Sequence, residues 1–190
     1  MTLGGVPTEP PAVRPVHLLH QEGILGLVAI VGLALRDNGS PLVGLGPTGP
    51  LWLSLTMGLA VAAGSSLLLL VVRQLPALVR LERFQARLVR GWTVSDALAV
   101  ALLSGLAEEA LLRALIQPLL GLFPAAILFA LLHLVPDVRL WMWPVIALVL
   151  GVVLGVLFDS FGYPAAAAGH VLINAFALLR LRGIGDDEIQ

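Results

Sequence analysis

Residues Ala97–Leu120 read ALAVALLSGLAEEALLRALIQPLL, and this run decides the fold. It is long and apolar enough to cross a hydrocarbon core of about 30 Å as a helix. Its only ionisable groups are Glu108, Glu109 and Arg113, grouped as Glu108-Glu109-Ala110-Leu111-Leu112-Arg113. Ionisable groups at membrane depth cost several kcal/mol and mark either a working site or an internal ion pair. On a helix Glu109 and Arg113 share a face and can pair. Glu108 points about a quarter-turn away, which leaves its carboxylate without a local cation. The same hexapeptide also reads as an ion-pair cluster bracing neighbouring helices.

The rest of the chain agrees with a membrane setting. Of 190 residues, 58% are hydrophobic and 12% charged, too apolar to cover itself in water. Aromatics are only 6%, so the bulk is Leu, Val, Ala and Gly, as in helices packed in lipid. The net charge of −1 selects no partner. There is no Cys, which excludes a disulfide framework, a Cys zinc site and a thiol nucleophile. No charged leader followed by a short apolar run and cleavage site opens the chain, so no removable signal peptide is expected.

Outward from the central run, the chain predicts an all-α, polytopic transmembrane bundle of about six spans. Residues 1–15 read as a disordered, Pro- and Gly-rich lead. Residues 16–182 form a single domain, with a motif core at 93–182, and 183–190 form an acidic tail. The first span, Val16 to Leu35, is weakened by His17, His20, Gln21 and Glu22, so its polar start is placed at the interface. Leu51 to Val72 is a second span, with Gly58, Gly64, Ser65 and Ser66 offering close helix contact. Arg73 to Arg90 spaces five arginines between apolar residues at helical period and predicts an amphipathic surface helix. A nucleic-acid role for that run is the weaker reading. Thr93 or Ser95 caps the third span. A fourth apolar run, Leu122 to Val135, holds His133. A fifth, Leu140 to Phe158, carries Gly151 and Gly155 as a small-residue face. The sixth, Ala165 to Leu181, holds His170 and Asn174.

The arginine distribution sets an orientation. Arg73 to Arg90 face the cytoplasm, and with them both termini, Arg139, Arg180 and Arg182; only Arg36 falls outside. This predicts a multi-pass plasma (inner) membrane protein. Counted along the helices, Glu108 lies about 22 Å from the start of its span. His170 lies about 10 Å, and His133 about 16 Å, below the outer side. Polar groups on three separate spans lower their cost by meeting in one cavity. The expected site therefore opens toward the outer face.

A buried carboxylate can take a proton from water, and His and Asn can donate to a developing oxyanion. That is amide hydrolysis by activated water. Glu108, His133 and His170 could alternatively hold Zn²⁺, a ligand set used for hydrolysis. No HExxH pattern is present, so the spacing requires no cofactor.

Glu108-Glu109-x-x-x-Arg113, Phe129-x-x-x-His133 and His170-x-x-x-Asn174 together resemble the three motifs of the CPBP family. These are intramembrane proteases of the CAAX prenyl endopeptidase and bacteriocin-processing type, also called Abi proteins. The resemblance covers Glu108 to Asn174. It implies an endopeptidase in which Glu108 activates water. His133, His170 and Asn174 position the water or stabilise the oxyanion, and Glu109, Arg113 and Phe129 support them. The chain is shorter than its CAAX-processing relatives, and an outward-facing site does not suit a cytoplasmic prenylated protein. Both points favour a membrane-anchored or exported peptide or protein substrate within the lipid bilayer. Two other classes compete: a non-catalytic immunity or scaffold protein of the same family, and a proton-coupled transporter. The absence of repeated halves argues against the last.

Overall fold

The computed structural model describes residues 12–40 and 42–184. The lead expected over 1–15 and the tail expected over 183–190 fall mostly outside the described residues. Eight α-helices follow one another among the described residues: α1 (Pro15–Arg36), α2 (Leu51–Val72), α3 (Pro76–Leu88), α4 (Val94–Glu109), α5 (Gln117–Leu120), α6 (Leu122–Leu132), α7 (Met142–Phe161) and α8 (Tyr163–Leu181). A π-helical segment, Ala110–Ile116, joins α4 to α5 without a break. The central run of the sequence is thus one helical rod.

Four helical stretches are long and apolar enough to cross a membrane: Pro15–Arg36, Leu51–Val72, Val138–Phe161 and Tyr163–Leu181. The expected count of about six is not reached on that criterion. Helix α6, at 11 residues, is about 16 Å long and too short to cross. The rod formed by α4, the π segment and α5 carries the buried charges. The surface is inverted relative to a soluble protein. Leu35, Val71, Leu119 and Phe123 are exposed, whereas Glu108, Glu109, Arg113, Gln117 and His170 are buried. Such a surface suits lipid, where apolar side chains face outward and polar groups are satisfied inside.

Local chemistry explains the helix ends. Thr93 caps α4 in a reciprocal box: its hydroxyl accepts from the Asp96 backbone N–H at 3.1 Å, and Asp96 accepts from the Thr93 N–H at 2.8 Å. Helix α3 is the expected amphipathic helix, burying Leu78, Leu81 and Ala86 while carrying Arg80, Arg83 and Arg87. Val13, just before α1, is tied down by both its backbone groups. Its N–H donates to the Leu88 carbonyl at 2.8 Å, and its carbonyl accepts from the Trp92 indole at 2.8 Å.

Small residues set the two closest helix approaches. A Cβ on Gly58 of α2 would fall 2.6 Å from the Ala165 carbonyl of α8, and one on Gly105 of α4 would fall 2.7 Å from the Val171 backbone nitrogen. These two interfaces bring α2 and α4 against α8, which is therefore the central helix. Gly151 packs on Ala126 and Gly155 on Leu122, as the small-residue face predicts, while Gly64 faces open space. Gly26 lies against Ala107, and Gly32 against Leu115, so α1 runs parallel to the rod. Ser104 meets Asn174, and Arg182 meets Trp92, so α8 runs antiparallel to it.

The π segment has a local cause. Pro118 has no N–H, so it cannot donate to the Ala114 carbonyl four residues back, and its ring crowds that carbonyl. The helix widens ahead of it. Arg36, at the end of α1, supplies the missing donor: its Nη1 reaches the Ala114 oxygen at 2.6 Å. Asp37 holds the other edge of the guanidinium, at 2.8 Å and 2.7 Å.

Candidate active site

The site is built where α4 and the π segment meet α8, with α6 closing one side. Glu109 and Arg113 are fully buried and pair through Arg113 Nε and Glu109 Oε2 at 3.1 Å, as the i, i+4 spacing requires. The other carboxylate oxygen, Oε1, lies 2.9 Å from Nδ1 of His170. Glu109 is therefore held on both sides by cationic or N–H partners. Arg113 extends the ladder by one more turn, to Gln117 Oε1 at 3.5 Å. The Gln117 amide donates in turn to the Gly155 carbonyl at 3.0 Å and to Asp159 at 2.8 Å. This chain of polar contacts fixes the rod against α7.

Glu108 is treated differently. It is buried, and its Oε2 has no hydrogen-bond partner. His170, His133, Glu109 and Arg113 all act on it electrostatically. The quarter-turn between the two glutamates thus separates a committed carboxylate from a free one, as the sequence predicts.

Phe129 of α6 gathers the remaining side chains. Its ring centroid lies 4.7 Å from that of His133 and 5.5 Å from that of His170, and the Arg113 guanidinium carbon lies 5.4 Å above it. Such a cation–ring contact contributes roughly 2 kcal/mol when desolvated. His133 sits just past the end of α6, with Nδ1 2.8 Å from the Phe129 carbonyl. A carbonyl only accepts, so Nδ1 carries the hydrogen and a neutral His133 presents Nε2 as an acceptor. His170 spends Nδ1 on Glu109, which leaves Nε2 for the reacting atoms. Asn174 donates to the Ser104 hydroxyl at 2.9 Å. Phe129, His133, His170 and Asn174 therefore share one cavity wall, and the charges of His133 and His170 act on the buried Glu108.

Four contributors were missed. Ser104 and Gln117 stand four residues before Glu108 and four after Arg113, so helical spacing alone would have found them. Asp159 lies one residue past Phe158, where the fifth span is expected to end, whereas α7 continues to Phe161. Glu22, assigned to the interface, is instead buried, with Oε2 unpartnered.

Among the described residues, no three His, Cys, Asp or Glu side chains are grouped so as to hold a metal ion. The Nδ1 atoms of His133 and His170 are bonded to Phe129 and Glu109, which leaves each Nε2 toward the site.

A cavity of about 180 Å³ reaches the site. Phe129, His133, His170 and Asn174 line one part; Arg73, Glu82, Gln85 and Arg180 line another, and Glu82 pairs with Arg180. Glu108 is not among the lining residues. Glu82 and Gln85 of this polar part come from α3, Arg73 from the end of α2 and Arg180 from α8. The sequence expects the site to open outward, whereas this cavity is bordered by Leu78, Leu81, Glu82 and Gln85 of α3, the helix that the arginine distribution assigns to the cytoplasmic side. The loop after His133 lies at the same end. There Asp137 accepts from the Arg139 side chain at 2.9, 3.1 and 2.7 Å and from its backbone N–H at 2.9 Å, which together pull its carboxyl down to about 2.

Fold and site together define an all-helical protein with membrane-spanning helices and a polar cluster buried among them. Residues 90–176 match the family described as Rce1-like, type II CAAX prenyl endopeptidase, in agreement with the CPBP resemblance. The family is one of peptidases, and the matched stretch contains every motif residue from Glu108 to Asn174. No curated protein and no solved structure matches the chain.

Proposed function

We propose that the protein is an intramembrane endopeptidase that cleaves a peptide bond of a membrane-associated substrate with water activated by Glu108. The single observation that supports this most is the division between the glutamates: Glu109 is fully engaged, while Glu108 is buried beside two histidines with a free oxygen. In this reading Glu108 takes a proton from water as the water oxygen attacks the carbonyl carbon. His133, in the cavity wall, helps to position the scissile carbonyl against the water. The carbonyl oxygen gains the charge and is met by His170 Nε2–H, held as imidazolium by Glu109, and by the second amide hydrogen of Asn174. When the C–N bond breaks, the proton on Glu108 passes to the leaving nitrogen, and Glu108 returns as carboxylate. The scheme needs no metal; a zinc-dependent variant would require Glu108, His133 and His170 to close on the ion.

The substrate proposed is a membrane-anchored or exported peptide, reached through the bilayer, and no nucleic acid is involved. The arginine distribution supports a plasma-membrane protein with both termini in the cytoplasm. One observation favours a second substrate reading. The cavity runs to α3 and is lined by Leu69, Leu70, Ile146, Leu150 and Phe176. An apolar channel open on the arginine side suits a cytoplasmic peptide bearing a lipid chain, such as a prenyl group. Incubation of the purified protein with membrane-anchored peptides, prenylated and not, beside Glu108→Gln, tests both. Cleavage by the wild type and none by the variant is expected. A protein that cleaves neither set is the non-catalytic scaffold instead.

A further inference from the structure

Glu22 is a buried carboxyl that the hydrolytic scheme above does not use. It stands in the part of the chain outside the family match, on a helix whose remaining buried residues are Ala29 and Leu33. A buried carboxylate oxygen without a donor is costly and needs an explanation. Three observations give one.

First, α1 and the rod run side by side in the same direction. A Cβ on Gly26 would lie 3.4 Å from that of Ala107, so Gly26 is level with Ala107 and Glu22 with about Leu103, roughly 7–8 Å along the axis from Glu108, a gap that two Glu side chains with one water between them can bridge. Helical side chains lean toward the N-terminus, so both carboxyls lean toward the same end of the bundle. Second, Glu22 acts electrostatically on the site, with Glu108 and His170 the two charged groups that it feels. Third, the two carboxyls carry matching defects: Oε2 of Glu22 and Oε2 of Glu108 are both buried and both without a protein donor. One water molecule between two acceptors satisfies both, since it has two hydrogens to give.

We infer that Glu22 is a positioning residue of the hydrolytic site: its carboxyl group accepts one hydrogen of the attacking water while Glu108 takes the other as a proton. The inference rests on the hydrolytic reading of Glu108. Glu22 forms and breaks no covalent bond. Helix α1 thereby supplies part of the site rather than only a wall.

The test compares full-length wild type with Glu22→Leu, Glu22→Gln and Glu108→Gln on the membrane-anchored peptide set, reading newly formed amino termini and a detergent melt for each. Glu22→Leu should lower the rate about 100-fold, the scale of a misplaced reactant, with its melt unchanged or raised. Glu22→Gln should retain most of the rate, because its amide oxygen still accepts from water. Glu108→Gln should be inactive. Wild-type rate in Glu22→Leu beside an inactive Glu108→Gln overturns the inference and leaves hydrolysis standing. Equal losses in both Glu22 variants, each with a lowered melt, also overturn it by marking Glu22 as structural. Cleavage by Glu108→Gln removes the hydrolytic reading itself, and this inference with it.

Discussion

Glu109 of α4 and His170 of α8 meet at 2.9 Å, and this bond ties the first motif to the third across the interface that Gly105 brings close. It also decides which glutamate is free. Because Glu109 is spent on His170 and Arg113, only Glu108 can accept a proton from water. Glu108→Gln should therefore leave a folded protein with no cleavage, since Gln keeps the shape but not the basicity. Glu109→Gln should cost stability as well as activity, because it leaves Arg113 buried beside a neutral amide. Melts and cleavage assays on the two variants check this; equal melts with equal loss of activity would contradict the division.

Arg113 should matter first for folding. It is fully buried, and removing one partner of a desolvated pair costs roughly 3–5 kcal/mol. Arg113→Ala should give low yield and a depressed melt. The double change with Glu109→Gln should recover part of the loss and no more, because the contacts to Gln117 and to the Phe129 ring are not restored. A melt for Arg113→Ala equal to wild type would show that the pair does not hold the rod.

The π segment makes a separate prediction, outside the chemistry. Arg36 replaces a donor that Pro118 lacks. Arg36→Ala leaves the Ala114 carbonyl unsatisfied and should cost about 1–3 kcal/mol. In a Pro118→Ala background the N–H returns, and Arg36→Ala should cost much less. A double-mutant cycle on detergent melts reads the coupling directly, and additive losses would remove the capping role.

The site was largely legible because its constraints are local. The spacing of Glu109 and Arg113 predicts their pair, and the angle between Glu108 and Glu109 predicts which one stays free. Convergence of His133, His170 and Asn174 followed from the cost of polar groups in lipid. Two things were not legible. Glu22 sits among His17, His20 and Gln21, and a polar cluster at a helix start reads as interfacial; only the packing of Gly26 on Ala107 shows that one face of that turn is buried. The direction of the cavity depends on which helices touch most closely. The glycines of α2 and α4 suggest close contact, but nothing in the chain says that both meet α8. The span count fell short for a related reason: hydropathy marks α6 as apolar, but not that Gly121 and His133 bound it at 11 residues.

The cavity's direction can be tested against the membrane itself. By the arginine distribution, α3 and the loop after His133 face the cytoplasm, while the loop between α1 and α2 faces outward. Natural cysteines are absent, so single thiols report cleanly. Gly49 has open space around it, and Val138 is 88% exposed, so a cysteine at either should not disturb packing. Gly49→Cys should react with an impermeant thiol reagent on intact cells, and Val138→Cys only after permeabilisation. Gln85→Cys places a thiol in the cavity wall. A bulky thiol adduct there should block cleavage by the purified protein, whereas the same adduct at Gly49→Cys should not. Blocked cleavage from Gly49→Cys and full cleavage from modified Gln85→Cys would restore the outward-opening site.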